Sequence, residues 1–104
     1  MILVNIDYVP GREIAEALGI VKGTTVQSKN FGRDFMAGMK TLVGGEIVGY
    51  TEMLTEARQI ATKRMVDEAE NLGADAVINV RYSSSLIMQG AAEVVAYGTA
   101  VRLA

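Results

Sequence analysis

Residues 51–73 read TEMLTEARQIATKRMVDEAENLG, and residues 74–82 continue as ADAVINVRY. In the first run Leu54, Ala57, Ala61, Met65, Ala69 and Leu72 recur at spacings of three and four, the pattern of an amphipathic helix with one face on a core. Thr51 suits an N-cap, Glu52 is favourable at the positive end of the helix dipole, and Gly73 can take the left-handed C′ conformation. The spacing therefore predicts a helix over 52–72. Half of its inward positions are alanine, so it can approach a sheet closely. In the second run Ala76, Ile78, Val80 and Tyr82 alternate with Val77, Asn79 and Arg81, which is the period of a strand.

Working outward toward the C-terminus, Ser83-Ser84-Ser85 and Gln89-Gly90 read as a connection over 83–92, and residues 93–103 as a last strand. In that strand Val95, Tyr97, Thr99, Val101 and Leu103 alternate with Val94, Ala96, Gly98 and Ala100, so neither face is plainly polar and both want cover. Toward the N-terminus, residues 20–29 are rich in β-branched side chains and read as a strand, with Gly23 suggesting a bulge or bend. Pro10 at a first-turn position and Gly19 at a C′ position frame a short helix over 10–19, and residues 2–6 form a first strand. Phe31, Phe35, Met39 and Leu42 make a helical stripe that Gly44-Gly45 ends. The expected order is β-α-β-α-α-β-β: a single α+β domain over 1–104, with a mostly antiparallel sheet and helices on one face. Lys63 with Asp67, and Arg64 with Glu68, are i,i+4 pairs expected on the outer helix face.

Composition excludes several classes. With 104 residues, 50% hydrophobic, 21% charged and one proline, the chain is neither disordered nor long enough for two cores. A net charge of −2 offers no excess of cations to displace nucleic-acid counterions, so nucleic acid is not expected as a partner. No apolar run approaches the roughly 20 residues that cross a bilayer, so no membrane is expected either. The N-terminal residues lack a signal peptide's basic and apolar regions, and there is no cysteine; the chain reads as cytoplasmic. The absence of His and Cys removes the usual near-neutral base, the thiolate nucleophile and the best zinc ligands, so neither a metal nor a cofactor is expected.

The remaining candidates are few. Gly44 to Thr51 imitates the spacing of a phosphate-binding loop, but Tyr50 stands where its lysine belongs and a helix precedes it where a strand is required. What survives is an anion held by backbone N–H groups around Gly49 and Thr51 at a helix start. Arg81 inside a strand, and Arg33-Asp34 at the start of the phenylalanine helix, are charges where charges are less expected, and they stand as ligand or interface candidates. The six methionines are scattered and read as packing residues, Asp67, Glu68 and Glu70 as a solvated helix face, and the serine run as a polar loop with no base to activate it. Three helices can cover one face of a four-stranded sheet, and the apolar surface left over calls for a homo-oligomer, the alternative being a monomer whose loop 83–92 folds over the open face.

The motifs Pro10-Gly11-Arg12-Glu13-Ile14, Leu18-Gly19-Ile20-Val21 with Gly23, Arg33-Asp34, Gly44-Gly45 with Tyr50, Ala57-Arg58, Leu72-Gly73-Ala74-Asp75-Ala76-Val77 and Tyr97-Gly98-Thr99-Ala100-Val101 run through the chain in order. Their joint spacing resembles the YbjQ-like family of small bacterial and archaeal proteins, which carries a heavy-metal-binding label. The resemblance implies a dodecin-like subunit assembled into a homopentameric ring, with added short strands joining neighbours. It implies no reaction and no catalytic residue, and its metal label meets a chain without thiol or imidazole.

The expected function is a non-catalytic oligomeric binding module, its small ligand or anion held at subunit contacts near Arg33, Asp34, Arg81 and the turn before Thr51. A metal-binding protein using carboxylates or thioethers is one alternative. An enzyme using Asp34 or Glu46 with arginine is another.

Overall fold

The computed structural model describes residues 1–28 and 43–104. Its elements are β1 (Ile2–Leu3), β2 (Ile14–Ser28), α1 (Val43–Asn71), β3 (Ala76–Met88) and β4 (Ala91–Leu103). They form one mixed sheet of order β1-β3-β4-β2, in which β1 runs parallel to β3 and the other neighbours pair antiparallel. The described order is thus β-β-α-β-β, with one helix on one face. The phenylalanine stripe over 31–42 lies outside the described residues.

α1 lies over β2 and β4 and barely touches β3. Ala57, Ala61, Met65 and Ala69 are fully buried against Val21, Val94, Ala96 and Ala100, as the three-and-four spacing requires. Leu54 is partly buried against this core, whereas Leu72 is exposed. The seat is unusually close. A Cβ built on Gly23 would stand 2.1 Å from the Ala61 carbonyl oxygen and 2.4 Å from the Met65 nitrogen. Gly23 pairs regularly with Ala96, so it serves helix contact and not the bulge its position suggested. At the other end, Gly73 has φ +80°, Gly73 N–H donates to Glu70 O at 2.9 Å and Ala74 N–H to Ala69 O at 3.1 Å. That pair of bonds is a Schellman stop, with Gly73 at C′ as the sequence predicts.

The expected helix over 10–19 is instead a turn followed by strand. Arg12 N–H donates to Val9 O at 3.0 Å, with Pro10 and Gly11 (φ +79°) at the two corner positions, the residues a type II turn selects. From Ile14 the chain pairs with β4, Ile14 opposite Leu103 and Ala17 opposite Val101, and Gly19 (φ +122°) sits at a bulge. Pairing to a central strand overrides the weak helical preference of Ala15, Glu16, Ala17 and Leu18. The expected connection over 83–92 is also strand: Ser83, Ser84 and Ser85 pair with Val95, Val94 and Glu93, leaving a turn at Gln89-Gly90. Gly44, Gly45 and Thr51 all lie within α1 (Val43–Asn71), so Gly44-Gly45 does not end a helix there and Thr51 is not its N-cap.

The second face of the sheet is covered at one end. Val9, with Val4 beside it, packs on Ala76, Ile78, Val101 and Leu103. Toward the hairpin turn that face is open. β1 pairs only with Ala76 and Val77, so most of β3 has no outer strand among the described residues.

β2 is the other edge strand, and α1 covers part of its free edge. Lys22 N–H donates to Glu68 Oε1 at 3.0 Å, and Arg64 Nη1 donates to Thr24 O at 2.7 Å. Arg64 and Glu68 therefore blunt a strand edge, where their spacing had suggested a pair with each other. Lys63 and Asp67 do pair, at 3.0 Å.

Candidate functional site

The candidate site forms where β3 slips register. Ile78 opposes Thr99 but Arg81 opposes Tyr97, so Asn79 and Val80 together oppose one residue of β4. Asn79 has φ +53°, the left-handed region that asparagine tolerates better than most side chains. The bulge changes which side chains face the helix. Ala76 and Ile78 pack on the far face, Val77 and Val80 beneath α1, so the strict alternation read from sequence ends at Ile78.

The bulge also holds the N-terminal segment. Asn79 N–H donates to Ile6 O at 2.9 Å and Val80 N–H to Val4 O at 3.0 Å. Arg81 completes this clasp, its Nη1 donating to Asn5 O at 2.9 Å and to Val80 O at 3.3 Å. Its Nε and Nη2 engage no acceptor among the described residues, and no described carboxylate lies within 4.0 Å. Arg81 lines two recesses. One, of about 720 Å³, runs along Leu3, Val4, Asn5, Ile6 and Tyr82; the other, of about 370 Å³, opens on the uncovered sheet face beside Ile20, Asn79, Tyr97 and Thr99. A guanidinium with an unused donor edge in such a recess can hold a carboxylate or phosphate.

The other sequence candidates do not join it. Gly49 and Thr51 lie inside α1, where backbone N–H groups point at carbonyls four residues back and not at a ligand. Gly49 borders a separate recess of about 230 Å³ with Gln27, Ser28, Met53, Glu52 and Glu56, and those two carboxylates disfavour an anion. Tyr82 meets Thr62, eleven residues beyond Thr51 in α1, about 16 Å along the axis. Arg81 moreover faces away from the helix. Arg33 and Asp34 lie outside the described residues, and Glu46 is within α1. Asn5, Asn79, Tyr97 and Thr99 were not read from sequence as site residues. The available signal was Asn79, a strand-averse residue between Ile78 and Val80.

The whole chain, residues 1–104, matches the model of the YbjQ family, described as "Putative heavy-metal-binding". A UPF0145 protein of Clostridium novyi is 65% identical over 103 residues, covering 99% of each chain. A UPF0145 protein of Thermotoga maritima is 64% identical over 103 residues, covering 99% of this chain and 97% of the relative. A crystal structure of a DUF74-family protein of unknown function from Pediococcus pentosaceus superposes with a TM-score of 0.63 at 18% identity. That match covers 100% of this chain and 98% of the other, and shows a common fold.

The family description invites a test against the donors present. Heavy metals favour thiolate, thioether and imidazole ligands, and the chain has no Cys and no His. Among the described residues no three carboxylates gather closely enough to share an ion. Met53 and Met65 are buried on α1, Met88 is exposed at the end of β3 and Met1 is exposed ahead of β1, while Met36 and Met39 lie outside the described residues. The described residues do not fit a heavy-metal site. By its full-length match and its near-full-length relatives, the chain belongs to the YbjQ family.

Proposed function

We propose that this chain is a non-catalytic, homo-oligomeric binding module, a pentamer by its family resemblance, that holds a small anionic ligand at a contact between subunits. Arg81 is the anchor. The observation that carries this reading is its half-used guanidinium, fixed by two backbone carbonyls at the junction of two recesses. A side chain already held in place loses little rotamer freedom when a ligand arrives.

Self-association is supported by the apolar surface. Leu86 is 71% exposed and Met88 65%, with Ile87 between them also exposed at the hairpin end of β3, and Ile20, 78% exposed, and Val26 are exposed on the sheet face away from α1. Leu86, Ile87 and Met88 are consecutive, and an exposed apolar run of this kind marks a contact. Native mass spectrometry of the purified protein tests both parts: several subunits and a retained small anion are expected, with Arg81→Gln losing the anion and Leu86→Asp releasing monomers. A folded monomer at all concentrations refutes the assembly, and an anion retained undiminished by Arg81→Gln refutes the anchor. The metal reading, favoured by the family description, predicts heat on titration with Cu(I), Zn²⁺ or Ni²⁺; the binding module predicts none.

A further inference from the structure

We propose a second anion site, in the recess between α1 and β3, that takes a phosphate monoester. It shares Tyr82 with the larger Arg81 recess but uses different cations, and it does not depend on that reading. Because α1 leans on β2 and β4, its other flank stands clear of β3 and leaves a recess of about 500 Å³. Thr55, Arg58, Gln59, Thr62, Lys63 and Tyr82 line it, a volume within the usual range for small-molecule sites.

Its charge is set by the order of residues along the helix. The basic residues of α1 are Arg58, Lys63 and Arg64, clustered between acidic residues at Glu52 and Glu56 on one side and Asp67, Glu68 and Glu70 on the other. Arg64 turns to β2 and is engaged by Thr24 O. Arg58 has Leu54, Thr55, Ala61 and Thr62 at its three- and four-residue neighbours, so no carboxylate on its own helix is placed to neutralise it. It donates from Nη2 to Thr55 Oγ1 at 3.2 Å, and no described carboxylate lies within 4.0 Å. Lys63 pairs with Asp67 at the surface, a contact weak enough to yield to a better anion.

The hydroxyl groups have a fixed direction. Thr62 Oγ1 donates to Arg58 O at 2.6 Å, which uses its one proton, so the 2.7 Å contact with Tyr82 must have the phenol donating. The phenol ring is thereby tied to the helix as a wall. The walls of the recess are mostly apolar, the phenol ring and the alkyl parts of its lining side chains; Arg58, Lys63 and Gln59 bring its N–H donors, and no carboxylate is in the lining. Donors of this kind select an anion. Two cations five residues apart meet different oxygens of a tetrahedral phosphate more readily than the two coplanar oxygens of a carboxylate. The ring and the alkyl stems of Arg58 and Lys63 suit an organic body over a free ion.

The test is titration of the full chain with phenyl phosphate, followed by amide NMR at constant ionic strength, with benzoate and inorganic phosphate as comparisons. Phenyl phosphate should shift residues 58–63 and 81–83 saturably in the millimolar range. Benzoate should bind about tenfold more weakly and inorganic phosphate more weakly than phenyl phosphate. Arg58→Gln and Lys63→Gln should each weaken phenyl phosphate about fivefold or more, while Arg81→Gln leaves it unchanged. Both variants alter exposed side chains, and circular dichroism confirms their fold. Absence of a saturable shift at about 20 mM, or affinity indifferent to Arg58→Gln, overturns the site. Equal binding of benzoate overturns the ligand class. Loss of binding in Arg81→Gln alone would move the anion to the other recess and overturn this one.

Discussion

Replacing Gly23 by alanine adds one methyl group, and the structure leaves it no room. The new carbon would sit 2.1 Å from Ala61 O and 2.4 Å from Met65 N, more than 1 Å inside ordinary contact in the first case. Both atoms belong to the helix backbone, so no rotamer change relieves the clash; α1 must move off the sheet. A gap of about 1 Å forfeits up to half of the dispersion energy at each contact it opens, here among Val21, Ala57, Ala61 and Met65. Gly23 does not have a positive φ, so alanine incurs no backbone strain and even gains about 0.4–1 kcal/mol by restricting the unfolded chain. Overpacking costs typically 1–3 kcal/mol and more where backbone must shift, which gives a net loss of about 3 kcal/mol. At this chain length that lowers Tm by roughly 12–24 °C. Urea and thermal unfolding at one fixed protein concentration measure it, because association would otherwise shift the midpoint. Thr24→Ala, one residue along and facing away from α1, is the control. Ala61→Gly should not rescue the variant, since the obstructing atom is a carbonyl oxygen. A Gly23→Ala protein within about 0.5 kcal/mol of wild type would refute the proposed seat of the helix.

Other perturbations separate the remaining contacts. Gly73→Ala forces a left-handed residue onto an L side chain at the Schellman stop and should cost about 1 kcal/mol in urea unfolding, whereas an unchanged midpoint would show that the stop is dispensable. Tyr82→Phe removes the phenol's bond to Thr62 at a partly exposed position and should cost about 1 kcal/mol, by the same assay. The double change Arg64→Ala, Glu68→Ala uncovers the Thr24 carbonyl and Lys22 N–H, so light scattering should report concentration-dependent aggregation absent from the parent.

Periodicity made the helix legible: Ala57, Ala61, Met65, Ala69 and Gly73 are where their spacing put them. Arg81 was likewise recognisable as a charge within a strand. The misreadings share a physical origin in contacts remote along the chain. Ala15 to Leu18 favour helix locally, yet β4 recruits them as strand. Ser83 to Ser85 have poor strand preference and are held by Val95, Val94 and Glu93. Arg64 and Glu68 satisfy an i,i+4 rule, but the unpaired groups of Lys22 and Thr24, some forty residues away, give them better partners. Pro10-Gly11 was a turn signal outweighed by the run of helix-formers after it. The slip at Asn79 was hidden because a bulge leaves hydrophobic composition unchanged while reversing the faces beyond it.

These contacts also explain why the two Arg81 recesses and the one beside Tyr82 lie along β3. A helix about 10 Å across can cover two strands spaced about 4.8 Å apart, but not four. Gly23 and the small residues of α1 draw that cover to β2 and β4, where Glu68 and Arg64 reach the β2 edge. β3 is left with Arg81 on its uncovered face and Tyr82 beside the clear flank of the helix. A helix centred over β3 and β4 would bury Tyr82 and lose its hold on the β2 edge. The position of one glycine is therefore coupled to the recesses beside Arg81 and Tyr82, and enlarging Gly23 should disturb Tyr82 resonances even though the two residues do not touch.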